Sequence, residues 1–276
     1  MLTKRAFFLD EFPHSASLRR MLTQCPILYH EKGVLIIDKP AGVLSHPNPP
    51  RLEFSDKKKL SRAAFEGPYD YDQRVFETPD GRIWLIHRLD QETSGVLLAA
   101  DNAETAHALR SAFETGAIEK YYTALISGLP QKPTGKWNDH VAVKRSSHQV
   151  RSAVVSGKPV NAQLEFTVKC VYPKPKLTLL HIRLLTGKTH QIRVQAAAHN
   201  YPIAGDEIYG HFALNRLLRK EIGLRRIFLH AHELRIQHPE TDLPVHVKSS
   251  LPEKLNECLR RMEPFRKVMK GSGSWG

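Results

Sequence analysis

Apolar and polar positions alternate with a period of two along several stretches of this chain. The cleanest is Val160–Lys169: Val160, Ala162, Leu164, Phe166 and Val168 interleave with Asn161, Gln163, Glu165, Thr167 and Lys169, which predicts a strand with one buried and one wet face. Leu177–Leu185 is expected beside it, with Thr178, Leu180, Ile182 and Leu184 sharing a face and Val171–Lys176 as the connection. Lys120–Ile126 places Tyr122, Ala124 and Ile126 on one side and Tyr121, Thr123 and Leu125 on the other. A tyrosine so placed is a core residue far more often than a catalyst. Gly33–Asp38 is a further strand, stopped by Lys39-Pro40-Ala41-Gly42, and Ile227–Leu229 with Glu233–Gln237 reads as a strand pair.

Helical spacing predicts a helix over Asn102–Thr115, on Ala103, Ala106, Leu109 and Phe113, with Gly116 ending it. A second is expected after Thr186-Gly187-Lys188-Thr189, capped by Thr189 and with Ile192, Ala196 and His199 in one stripe. Arg193 lies at the border of that stripe, where a carboxylate partner is expected. His211–Glu221 reads as a basic helix and Glu253 to about Met269 as an exposed amphipathic one. Residues 47–82 read as a long surface excursion with one short helix over Leu60–Glu66, and Pro130–Gly157, with Lys144, Arg145, His148 and Arg151, as a basic hairpin reaching outward. Strands separated by turns, with few helices, make the fold class a mixed α+β domain and not a regular βαβ winding.

At 276 residues the chain can bury a substantial core. Lys and Arg outnumber Asp and Glu by 41 to 28, a formal charge of +13 that favours polyanionic partners such as RNA or DNA. Three widely spaced cysteines, Cys25, Cys170 and Cys258, support neither a disulfide framework nor a cysteine-based zinc site and fit a reducing cytosol. The N-terminal apolar run is too short for a signal peptide, and no run approaches the length that spans a membrane. Glycine patterns for P-loop and hydrolase chemistry do not occur. His230 and His232, with His190 or Asp90, invite a metal reading, but no spacing fixes a third ligand.

Leu85–Ala100, LIHRLDQETSGVLLAA, is the densest stretch: two apolar runs flank a charged loop that holds His87, Arg88 and Asp90 and closes at Gly95. A carboxylate held there against a basic partner stays ionised and can act as nucleophile or base; equally, an Asp–Arg pair at a strand–loop–strand junction can be structural only.

The stretch IHRLDQETSGVLL resembles the H-R-L-D-x-x-T-S-G signature of the RluA-type RNA pseudouridine synthases. LIIDKPAGVLSHP is similar to that family's opening strand and K-P-x-G turn, and KYYTALISG to its K-x-Y-x-A-x-x-x-G strand. GKTHQIRVQ, AGDEIYG and LHAHELRIQHP resemble its later segments, in the family's order. The resemblance implies a mostly antiparallel mixed sheet with flanking helices and a central catalytic cleft, a catalytic domain over 27–240, a short extension at 1–26 in place of a separate RNA-binding domain, and a C-terminal helix and flexible tail at 241–276. It implies isomerisation of uridine to pseudouridine in ribosomal or transfer RNA by a cytoplasmic monomer that uses no metal or organic cofactor and no membrane. Asp90 resembles the catalytic aspartate that attacks a flipped-out uridine, directly at C1′ or through a glycal. Tyr122 is similar to the tyrosine that lies against the base and is a candidate for proton abstraction, and Arg193 to the basic partner of the aspartate. Arg88 resembles the arginine that occupies the duplex; His87, Thr93, Lys188, His190 and Gln191 fall on the same motifs as substrate-binding positions. Two departures stand out: Lys188 replaces the family's Arg and Gln195 its His. A catalytically inactive RNA-binding protein is the alternative from another class.

Overall fold

Long alternating segments become one sheet because each can bury its apolar face only against strands on either side. A computed structural model describes residues 25–48, 63–145 and 150–268; of Lys144–Val150 only the backbone at 144, 145 and 150 is described. In chain order the strands of the first half are β1 (Ile27–Glu31), β2 (Val34–Lys39), β3 (Tyr69–Asp70), β4 (Val75–Thr78), β5 (Gly81–Leu85) and β6 (Ser94–Ala100), followed by helix α1 (Ala103–Glu114). Then come β7 (Glu119–Ser127), β8 (Thr134–Asp139), β9 (Val141–Arg145), β10 (Val150–Val154), β11 (Ala162–Tyr172) and β12 (Leu177–Leu184). The last part carries α2 (Gln191–Ala198), α3 (Phe212–Glu221), β13 (Leu229–Gln237), β14 (Pro244–Lys248) and α4 (Glu253–Met262).

Twelve strands form one mixed sheet in the order β3-β4-β5-β6-β13-β7-β12-β11-β8, with β2 on the far edge of β6, β1 on β2 and β14 on β13; β9 and β10 make a separate hairpin. All pairings are antiparallel except β6 with β13, which run parallel at Ser94–His230 and Gly95–Ala231. That junction sits at the middle of the sheet. β5 pairs with one end of β6, through Trp84–Ala100 and Leu85–Ala99, while β13 takes the other end. The residues between β5 and β6 therefore leave the sheet where its two halves meet.

The expected alternation holds in β11 from Ala162 to Val168 and in β12, whose residues pair as neighbours. Val160 is not in the strand and lies exposed, and the strand runs on to Tyr172 through a bulge. Other expectations need correction. Residues 69–85 are not irregular: β3, β4 and β5 form a meander on the sheet edge. The helix over Leu60–Glu66 lies partly outside the described residues, and Ala63 instead bridges Leu44. Leu229–Gln237 is one strand, read as two because a bulge at Ala231–Glu233 breaks the alternation; Ile227 and Phe228 precede it. The boundary after residue 240 falls between the paired strands β13 and β14. Helix α4 ends at Met262 and is docked, burying Leu255, Cys258 and Met262 against Phe228, Tyr172 and α3's Leu218. Residues 1–24 of the expected 1–26 extension, the lysine run at 57–59, His148 and the tail from 269 lie outside the described residues.

Candidate active site

Strand β5 ends at Leu85, and the chain peels away from β6. This leaves the Leu98 N–H without a backbone partner, and His87 Nε2 accepts it at 3.1 Å. Burial, then the nearby Lys120, depress the His87 pKa to about 3, so the ring is neutral and can accept. It stacks on Phe113 of α1 at 5.5 Å. His87 lines the cleft, but its Nε2 is committed to holding the loop.

Three tethers fix the loop that follows. Ser45 Oγ donates to Leu89 O and accepts from Leu89 N, both at 2.9 Å. Gly42 N donates to Gln91 O at 2.8 Å. The Lys39 ammonium, fully buried, donates to Val43 O (2.6 Å), Pro40 O (3.0 Å) and Gln91 O (3.1 Å). Three carbonyls suit the three donors of an ammonium, although burial pulls its pKa down to about 8. The K-P-A-G turn is thus a clamp on the Asp90 loop. The loop closes with Thr93 N donating to Asp90 O at 3.0 Å; Thr93 itself is buried in the cleft wall.

Asp90 does not pair with its sequence neighbours His87 or Arg88. Its Oδ2 accepts from Arg193 NH1 at 2.8 Å. Arg193 projects from the first turn of α2, and its remaining edge is gripped by Asp206: Nε to Oδ2 at 2.7 Å and NH2 to Oδ1 at 2.9 Å. Asp206 Oδ1 also accepts the N–H groups of Ile208 and Tyr209, and the carboxylate is wholly buried. Burial opposes the charge on Arg193, but Asp206 first and Asp90 next overcome it and hold the guanidinium above its ordinary range. Burial likewise pushes the Asp206 carboxyl up, and Arg193 with the two backbone donors brings it below the ordinary carboxylate range. With Nε and NH2 bound by Asp206, the guanidinium presents NH1 to Asp90.

Helix α2 begins at His190, not at a Thr189 cap: His190 is left-handed (φ 55°) and its side chain makes no cap bond. Its Nδ1 lies 3.0 Å from the Tyr209 hydroxyl and its Nε2 3.8 Å from Asp90 Oδ1. Gln191 is buried, its amide spent on Thr186, Lys188 N, Gln163 O and Gln195. Gln191 therefore shapes the Gly187–His190 turn, and Lys188 is the exposed cation on it. Gln195 faces away from Asp90, donating to Asp139 at 2.7 Å.

Tyr122, buried on β7, and Lys120 line the same cleft as Asp90 and Arg193, a cavity of about 400 Å³. Burial, then Asp90, push the phenol well above its ordinary value; burial lowers Lys120 to about 8. Among the described residues the Tyr122 hydroxyl has no hydrogen-bond partner. A second cleft of about 490 Å³ lies on the other side and shares Asp90, Arg88, Leu89, His46, His190 and Arg193 as a common wall. Arg88 is exposed on that wall.

His230 and His232 do not form a ligand pair. His230 is bonded to Ser94 and to Ser249 O, and His232 to the same Ser249 carbonyl. Asp206, Lys39 and Ser45 were missed as site residues from sequence, although all three lie in segments quoted above, AGDEIYG and LIIDKPAGVLSHP.

The family model described as RNA pseudouridylate synthase matches residues 33–198. The ribosomal large subunit pseudouridine synthase C of Yersinia pestis is 30% identical over 261 residues, covering 91% of this chain and 73% of that protein. The protein of the same name from Haemophilus ducreyi is 29% identical over 263 residues, covering 92% and 74%. In fold, the chain is similar to the human RNA pseudouridylate synthase domain containing 4 structure, with a TM-score of 0.60 and 22% identity over 86% of this chain and 93% of that one. The human domain containing 1 structure also gives 0.60, at 23% identity over 85% and 87%.

Proposed function

The chain belongs to the RNA pseudouridylate synthase family, and from that premise we propose that it converts specific uridines of ribosomal RNA to pseudouridine, with Asp90 as the nucleophile on a flipped-out nucleotide. The observation that carries this reading is the buried Asp206–Arg193–Asp90 chain of charges, which aims one partly exposed carboxylate into a cleft. Asp206 takes up the bidentate edge of the guanidinium and one nitrogen holds Asp90, so Asp90 keeps Oδ1 for substrate.

The reaction moves uracil on its own ribose. The N1–C1′ bond breaks, the base turns, C5 bonds to C1′, and the C5 proton leaves while N1 gains one. Atoms balance without an external reagent. Asp90 starts this either by bonding to C1′ or by promoting loss of uracil to a glycal; both use the carboxylate that Arg193 holds in place. A loose uracil must not escape between the two bonds, and a cleft walled by Tyr122, Leu229 and Ile192 confines it.

Tyr122 offers a flat wall to that uracil. Its phenol is protonated in the resting site, and Asp90's charge is one of the causes. When C5 bonds to C1′ the Asp90 carboxylate is released, and the phenol then acts at that later step by giving its own proton to N1 as it takes the one from C5. Arg88, exposed between the two clefts, is placed to fill the space a withdrawn nucleotide leaves. Ribosomal RNA is the substrate class supported by the relatives, both named for the large ribosomal subunit.

Mapping pseudouridine in ribosomal and transfer RNA from cells with and without this protein tests the reading. Loss of pseudouridine at one or a few large-subunit positions, restored by the wild-type gene, is expected. Loss confined to transfer RNA overturns the substrate class, and an unchanged map overturns the enzymatic reading.

A further inference from the structure

The proposed chemistry leaves one part of the cleft unused. At its mouth, away from Arg193, the wall is formed by His46, Tyr69, Tyr71, Arg74 and Arg110. His46 and Tyr69 stack in parallel, 4.9 Å between centroids and 6° between planes. Tyr71 meets both edge-on, at 5.1 Å from Tyr69 and 5.9 Å from His46, and is 38% exposed. Tyr69 is backed by the fully buried Phe76 at 4.6 Å.

This patch is held rigidly. The Asp70 carboxylate accepts from the N–H groups of Asp72 and Gln73, closing the turn that carries Tyr71 and Arg74. Arg110 of α1 reaches under the turn and donates to Gln73 O at 2.8 Å and Leu85 O at 3.2 Å. The Tyr71 hydroxyl donates to Pro47 O at 3.2 Å. On the other side His46 follows Ser45, the residue bonded to Leu89, so the aromatic patch and Asp90 share one chain of short bonds. Among the described residues no carboxylate lies in salt-bridge range of Arg74, Arg88 or Arg110. Guanidinium groups left without acidic partners beside exposed aromatic rings are what a single-stranded nucleic acid uses: bases stack on the rings and phosphates meet the cations.

We infer that the turn at residues 71–74 is a subsite for a nucleotide next to the target uridine, with Tyr71 as the stacking surface for its base and Arg74 as the contact to its phosphate. This rests on the proposed function for its substrate, an RNA strand entering the cleft. A base stacked there anchors the strand on the Tyr71 side while the uridine goes down toward Asp90, so it sets which uridine is presented. The subsite discriminates by stacking strength and not by a hydrogen-bond code.

Two measurements test it. The first needs no turnover: a seven-nucleotide oligouridylate carrying 2-aminopurine beside its central uridine is titrated with the protein. Fluorescence quenching is expected with wild type, lost in Tyr71→Ala and retained in Tyr71→Phe, which keeps the ring. The second uses the ribosomal fragment that holds the mapped uridine. Tyr71→Ala is expected to raise KM about tenfold with kcat within about twofold. An abasic residue at one flanking position should raise wild-type KM by a similar factor and have little further effect in Tyr71→Ala. Equal quenching in wild type and Tyr71→Ala, unchanged KM with either flanking base removed, or effects that multiply independently would each overturn the subsite. The abasic arm uses wild-type protein and so does not depend on the variant's folding. Wild type that makes no pseudouridine fails the proposed function instead, and the oligonucleotide titration still decides the stacking.

Discussion

At the scale of single residues, the site turns on how one guanidinium is divided between two carboxylates. Asp206 is fully buried and takes two of the three Arg193 nitrogens; Asp90, partly exposed, takes the third. Removing the cation would strand Asp206 inside the protein and release Asp90 from its aim. Arg193→Met is therefore expected to lose about 3–5 kcal/mol of folding stability together with activity, measured by denaturant unfolding and product formation. Stability within about 1 kcal/mol of wild type would show that Asp206 does not depend on this partner. The sequence carried half of this. Arg193 at the edge of an apolar stripe called for a carboxylate, and the family resemblance pointed to Asp90. Asp206 lies 13 positions on, beyond a helix and a turn, where no local spacing exposes a contact.

At the scale of elements, the Asp90 loop exists because β6 has different neighbours at its two ends. β13 approaches β6 in parallel at Gly95, and the approach leaves no room for a side chain: a Cβ on Gly95 would lie 2.1 Å from the Ala231 carbonyl oxygen. Its φ of 115° disfavours other residues as well. Gly95→Ala is expected to cost more than about 3 kcal/mol, read as loss of soluble folded protein or a large drop in unfolding midpoint. A normal midpoint would mean that the β6–β13 junction can open without harm. Elements with a sustained period, such as β7, β12, helix α1 and β11 up to its bulge, were legible in the residues. Those cut by bulges or built from few residues were not. β13 reads as two strands because Ala231–Glu233 shifts the register, and β3, β4 and β14 are too short among Pro, Asp and Gly to show a period.

At the scale of the whole molecule, charge and chemistry occupy different places. The excess of cations is +13 over the chain, whereas the group proposed to react is one carboxylate on the loop between β5 and β6. The sheet's mixed, mostly antiparallel character was anticipated, but its central parallel junction was not, because it pairs segments more than a hundred residues apart. Affinity for RNA should then be a property of many residues and turnover of very few. Asp90→Asn separates the two, since it keeps the shape and a hydrogen bond to Arg193 while removing the nucleophile. The decisive measurement is single-turnover conversion of the mapped uridine by this variant alongside its affinity for the same RNA. We predict no pseudouridine and an affinity within about threefold of wild type; pseudouridine formed at a rate near that of wild type would contradict the assignment of Asp90.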